Sequence, residues 1–170
     1  MREYVAVDRS AALFAAFRAV DRATDPGRAV LCIGCRNAHE LNLFRDAGFA
    51  DVTGIDLFST DPRIEAMDMH ATTFPARRFD VFFACHSLEH AAEPAAVFAE
   101  IQRLARANAV VVIEVPVRYR KWPGREDVHD FGSIDGLRAS AAALAGRELF
   151  AEEIDTDPPI VRLIVSTGAR

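Results

Sequence analysis

Apolar positions in this chain alternate between short continuous runs and longer segments with helical spacing. Ser10 to Thr24 puts Leu13, Phe14, Phe17 and Val20 on one helical face, and Asp25-Pro26-Gly27 breaks it. Ala29 to Ile33 is a β-prone run that passes a polar turn, Gly34 to Asn37, into a segment with Leu41 and Leu43 or Phe44 at helical spacing, closed by Gly48. A second run, Val52 to Ile55, ends in Asp56, and a third, Ile64 to Met67, follows after only Leu57 to Arg63. Parallel strands need about a dozen residues between them, so the crossover helix here is predicted to be missing or cut to one turn. The third strand is then a short edge strand, with one sheet face beside it open to a partner.

Phe79 to Cys85 is continuous enough for the buried centre of a parallel sheet. Pro94 to Arg106 carries Val97, Phe98, Ile101 and Leu104 at helical spacing, with proline in its first turn. Ala109 to Val115 is a β-branched central strand interrupted by Glu114, a carboxylate either paired in the core or aimed at a ligand crevice. Pro116 to Gly132 is a long irregular segment, Ser133 to Ala145 a helix stopped by Gly146, and Glu148 to Ile154 with Ile160 to Ser166 an antiparallel hairpin. The alternation defines an α/β fold, read as one domain over residues 1–170 with no repeat or linker.

Composition narrows the classes. A hydrophobic content of 51% with 26% charged residues is that of a globular chain rather than a disordered one. No apolar run is long enough for a bilayer and the first residues lack the apolar core of a signal peptide, which predicts a cytoplasmic address. A net charge of -5 removes the usual electrostatic reason to expect nucleic-acid or membrane binding. Cys32, Cys35 and Cys85 cannot all pair, so reduced thiols are expected.

The chemistry begins at the glycine turn. Asp56 ends the second strand about 20 residues beyond Gly34, the βαβ spacing of a nucleotide-type site, where a carboxylate suits a ribose diol. Gly34 with Asp56, then Met67-Asp68-Met69-His70, then Phe79-Asp80-Val81 running into His86-Ser87-Leu88-Glu89-His90, resemble successive motifs of class I S-adenosylmethionine-dependent methyltransferases, in the small single-domain, type 11-like branch. Order and spacing hold from Ala29 to Pro116. The resemblance implies a Rossmann-like methyltransferase fold, with a mostly parallel sheet and an antiparallel C-terminal hairpin, and methyl transfer from S-adenosylmethionine to a small-molecule acceptor.

It also implies site residues: Gly34, Cys35, Arg36, Asp56, Leu57, Asp68, Met69, Cys85 and His86 for the cofactor. Asp56 would take the ribose, Asp68 the adenine amino group and the Met69 backbone the ring, while His86 faces the transferable methyl. The alternative for Asp68 is a turn aspartate before Thr72-Thr73, and its register with the other motifs favours the ligand role. The chain departs from the family pattern at Cys32, where an acid is usual, and at Arg36 and Ala38, where glycines are. Arg36 must therefore point away from the ligand or meet it, for example at the methionine carboxylate.

Catalysis of this kind rests on positioning, on the order of 7 to 11 kcal/mol in favourable cases. An oxygen or nitrogen acceptor is helped by a base, for which His86 and His129 are the candidates and Glu114 the reserve, whereas a carbon or thiol acceptor can dispense with one. The 116–132 segment leaves a strand's carboxyl end, so Arg118, Tyr119, Arg120, Lys121 and Trp122 form either a lid over an anionic or aromatic acceptor, with His129 and Asp130 for proton transfer, or a solvated loop. The N-terminal helix packs on the sheet, covers the cofactor, or does both. Glu89 and His90 are expected to orient their loop and cap the next helix.

Other readings stay open. Cys32 and Cys35 form a C-x-x-C as in thioredoxin-like sites, or with Cys85 and His86 a zinc site. His86, Glu89 and His90 fit the H-x-x-E-H of a zinc hydrolase, provided both histidines share a helix face. A non-catalytic member of the same fold is the remaining alternative. The small size argues for that module or for a partner subunit, and the partners left open are a protein or a homo-oligomer.

Overall fold

The computed structural model describes residues 2–23, 25–118 and 129–168, with the backbone alone over 2–8. Its elements are α1 (Arg2–Val20), β1 (Ala29–Ile33), α2 (His39–Asp46), β2 (Asp51–Ile55), β3 (Ile64–Glu65), β4 (Phe79–Cys85), α3 (Pro94–Leu104), β5 (Ala105–Pro116), α4 (Ile134–Ser140), β6 (Arg147–Ile154) and β7 (Ile160–Ser166). Short 3-10 turns at Leu88–His90 and Ala141–Leu144 follow β4 and α4. The seven strands make one sheet in the order β3-β2-β1-β4-β5-β7-β6. The pairs from β3 to β5 are parallel, and β7 runs antiparallel to both β5 and β6.

Burial on both faces explains the continuous apolar runs. In β1, Leu31 and Ile33 join Phe82, Val111 and Ile113 beneath α3 and α4, while Val30 and Cys32 join Val81, Phe83 and Val112 beneath α1 and α2. Phe44 of α2 centres the second layer, with the rings of Phe14, Phe17, Phe49 and Phe83 at 4.9, 5.7, 5.3 and 5.3 Å. A register shift between Phe79 and Val81 puts Phe79 on the same side as Phe82. It also frees the Asp80 carboxylate to accept from the Ala29 amide and the Arg106 guanidinium.

The expected gap after β2 is present: residues 56–63 contain no helix. The reason is register. The two residues of β3 pair only with Gly54 and Ile55, the last two of β2, so the chain returns by roughly 7 Å rather than a full strand length. Polar anchors replace a helix before β4 as well. The Thr72 amide and hydroxyl donate to the buried Glu100 of α3 at 2.9 and 2.6 Å, and Arg103 donates to the Phe74 carbonyl at 2.9 Å.

Boundaries moved where local pattern was silent. Helix α1 starts at Arg2, ahead of Ser10, because nothing between them breaks a helix. Strand β3 stops at Glu65 instead of Met67, and β5 starts at Ala105, inside the predicted helix, because Ala105 pairs with Phe79. The predicted helix from Ser133 is α4 plus the 3-10 turn, ending at Ala145 in the left-handed region with φ 47°. Ser133 caps α4, its hydroxyl accepting from the Gly136 amide at 3.2 Å. Ser133→Ala is expected to lower stability by about 1 kcal/mol, read from a urea denaturation midpoint. No change would mean that the cap is made by water instead.

Candidate functional site

Strand order reverses between β1 and β4, since β1 leads to β2 on one side and β4 continues on the other. Side chains and loops at the carboxyl ends of such strands enclose a crevice. Here it is a cleft of about 580 Å³, in the size range of small-molecule sites.

Gly34 forms its floor. With φ at 69°, its amide donates to the Ile55 carbonyl at 2.8 Å, and a side chain there would place Cβ 2.4 Å from the Ser87 Cβ. Glycine is therefore required twice, by backbone angle and by space. Arg36, which replaces a usual glycine, keeps a negative φ and an exposed side chain on the cleft rim. The substitution leaves the floor open, and the Ser59 hydroxyl ties this turn to the 56–63 link through the Arg36 carbonyl at 2.9 Å.

Asp56 ends β2 facing the cleft, its Oδ1 accepting from the Phe58 amide at 2.7 Å. Leu57 and Phe58 form an apolar rim, Phe58 being 72% exposed. Beyond β3, Met67, Asp68 and Met69 make the facing wall. Asp68 Oδ1 accepts from the His70 amide at 2.9 Å and ring Nδ1 at 2.6 Å, bonds that hold its carboxyl below the ordinary range. Through Nε2, His70 also accepts from the Glu93 amide at 3.4 Å, which docks this wall on the start of α3. Neither Oδ2 of Asp56 nor that of Asp68 has a bond among the described residues.

His86 closes the far end. It has φ at 52°, unusual outside glycine, and its amide donates to the Glu114 carbonyl at 2.9 Å. Its Nε2 lies 3.0 Å from Glu114 Oε1, and its Nδ1 lies 3.4 Å from the Arg9 guanidinium. Glu114 is fully buried, with its other oxygen bonded by Arg162 Nε at 2.5 Å. Burial pushes the Glu114 carboxyl up, but bonds from His86 and Arg162 outweigh it and leave the group below its ordinary value. The alternatives posed for Glu114 thus resolve to the core: it stands behind His86. Helix α1 combines its two roles, since Leu13 and Phe17 pack on the sheet and Arg9 reaches the cleft.

The fold brings Gly34, Arg36, Asp56, Leu57, Asp68, Met69 and His86 to one cleft, and adds Ser87 and His90. Among the described residues, Cys35, Cys85, Glu114 and His129 do not line it. The Cys35 thiol turns into the layer under α2 against Gly54, where an added Cβ would meet its sulfur at 2.6 Å. His129 sits outside, its amide donating to the Glu89 carbonyl at 3.0 Å and its ring against Phe131 at 4.5 Å. Tyr119, Arg120, Lys121 and Trp122 lie outside the described residues. Arg118 serves the base of that segment, its amide donating to Asp130 and its guanidinium to Glu153 at 2.6 Å.

The metal and redox readings lose their footing. His86 precedes the helical turn at Leu88–His90 rather than sharing a helix face with His90, and its Nε2 is engaged by Glu114. Burial is the main cause that raises Cys32, Cys35 and Cys85 well above the ordinary thiol range, which disfavours the thiolate that either chemistry needs.

Sequence reasoning overlooked Arg9, Gly54 and Arg162, and gave His70 no role beyond its place in a motif. Arg162 left a signal: in I-V-R-L-I-V-S a cation interrupts an apolar strand as Glu114 does in A-V-V-V-I-E-V, and the two are register partners.

Sheet order, carboxyl-end cleft and closing hairpin together define the class I S-adenosylmethionine-dependent methyltransferase fold. A model of the methyltransferase domain matches residues 3–147, and the chain belongs to that family. It is similar in fold to a chain of the Haloferax volcanii complex containing the Trm112 methyltransferase activator, with a TM-score of 0.76 at 16% identity, covering 98% of this chain and 94% of that one. An S-adenosylmethionine-dependent methyltransferase from Mesorhizobium loti gives 0.69 at 14% identity, covering 89% and 96%. The cyclase SpnF gives 0.72 at 16% identity, covering 93% and 80%. No curated protein sequence matches the chain. Among the described residues, no helix is long and apolar enough to cross a membrane.

Proposed function

We propose that the protein transfers the methyl group of S-adenosylmethionine to a small-molecule acceptor. The observation that carries this reading is the convergence of Gly34, Asp56, Asp68 and His86 on one cleft at the ends of β1 to β4. The cleft fits the group. Gly34 leaves the space that a Cβ would fill, and among the described residues the Ser87 hydroxyl is buried on the cleft wall without a partner and Asp56 and Asp68 each have one carboxylate oxygen that accepts no bond. When bound, the sulfonium supplies an already activated methyl. The chain's own residues would then hold and orient it: Asp56 would take the ribose hydroxyls, Asp68 would accept from the adenine amino group, Met67, Met69 and Leu57 would offer apolar surface to the base, and His86 would face the reacting methyl.

Calorimetric titration with S-adenosylhomocysteine tests it. The wild type is expected to bind, and Asp56→Ala to bind roughly ten- to 150-fold more weakly, as for hydrogen bonds to a charged group worth about 1.5 to 3 kcal/mol. A well-folded wild type that does not bind would overturn the reading in favour of a non-catalytic member of the fold.

A further inference from the structure

Why the sheet buries Glu114 beside a partly buried Arg162 is not explained by stability. They face each other across β5 and β7, in a row that Cys85 and Glu152 continue on β4 and β6. An apolar pair of similar volume commonly serves a core as well or better. What the pair does instead is hold one ring. Glu114 grips His86 twice, its carbonyl accepting from the strained His86 backbone and its Oε1 from Nε2, while Arg162 holds Oε2 and keeps the carboxylate charged and in place.

Donor and acceptor logic then sets the tautomer. An ionised carboxylate only accepts, so Nε2 carries the hydrogen; a guanidinium only donates, so Nδ1, facing Arg9, carries the lone pair. The contact from Arg9 is long at 3.4 Å, and Glu89 Oε1 is 3.7 Å away. Nδ1 is thus the basic atom of a ring that lines the cleft, with Arg9, Glu89 and Glu114 as the charged groups around it.

We propose that the acceptor is protic, an O–H or N–H compound, and that His86 Nδ1 takes its proton, with Glu114 and Arg162 as the positioning pair that fixes the imidazole. The proposal rests on the methyltransferase reading above. In the step, the acceptor oxygen or nitrogen forms a bond to the methyl carbon and the methyl–sulfur bond breaks, its electron pair staying on sulfur. The acceptor's proton moves to Nδ1, and the resulting imidazolium is stabilised by Glu114 and later loses the proton to solvent.

The test reads the tautomer directly, by long-range proton–nitrogen NMR of the imidazoles in 15N-labelled protein above neutral pH, with His86→Gln identifying the signal. The expected result is a single Nε2–H form in the wild type and a mixture of the two tautomers in Glu114→Gln and Arg162→Met. An Nδ1–H form in the wild type would overturn the proposal, and needs no variant to fold. So would an unchanged tautomer in both folded variants. The spectra are recorded without and with S-adenosylhomocysteine, so failure to bind counts against the methyltransferase reading while the tautomer judges this one.

Discussion

Gly34→Ala is expected to weaken S-adenosylhomocysteine binding by more than about 100-fold. The left-handed backbone alone costs an alanine about 1 to 2 kcal/mol. The larger effect is spatial: the new Cβ would stand 2.4 Å from the Ser87 Cβ, an atom one bond from the backbone that no rotamer can move aside. Relief requires the turn to lift off β4, which adds roughly 1 to 3 kcal/mol and displaces the cleft floor. Gly132→Ala is the control. Gly132 has φ at 72° but nothing within 4 Å of an added Cβ, so it should lose only the backbone term and leave binding intact. Equal, small effects in the two variants, by calorimetry and urea denaturation, would show that the floor is not built as described.

Arg162→Ala is expected to destabilise the fold by about 3 to 5 kcal/mol, because it leaves the Glu114 carboxylate buried without its main cation. Replacing both residues by leucine should recover most of that loss, since the desolvation penalty disappears with the charges. The pH dependence carries the same signature. The folded pKa of Glu114 lies below its unfolded value, so its contribution is present above the unfolded pKa and is lost as pH falls through the folded one. Wild-type stability should therefore drop in the acid range, and that part of the drop should be missing in the double variant. Denaturation midpoints across the acid range decide it, and an acid profile unchanged in the double variant would contradict the assignment.

Most of the fold was legible because the central strands β1, β4 and β5 are buried on both faces. A run such as Phe79 to Cys85 is a strand whatever its neighbours, and the periodicity of Pro94 to Leu104 is that of a helix covering it. Even the absent crossover was visible as a distance, too few residues between Ile55 and Ile64. The cleft's own residues were legible for a similar reason: Gly34, Asp56 and His86 each directly follow a strand and Asp68 lies three residues beyond one, positions that sequence order alone predicts to open on the crevice.

What stayed hidden depends on contacts between elements far apart in the chain. Arg9 and His86 are 77 positions apart, and Glu114 and Arg162 are 48. No local period couples such pairs, so whether Glu114 faced the ligand or the core could be settled only by the antiparallel register that lays Arg162 beside it. Gly54 likewise looks dispensable in a strand until Cys35 and Leu41 are packed over it, at 2.6 and 2.8 Å from an added Cβ. By itself the sequence determined the order of strands and helices, because burial and periodicity are properties of neighbours along the chain. Only the tertiary structure decided which nitrogen of His86 is basic, because that follows from charges brought together by sheet register and by a helix laid across the strand ends.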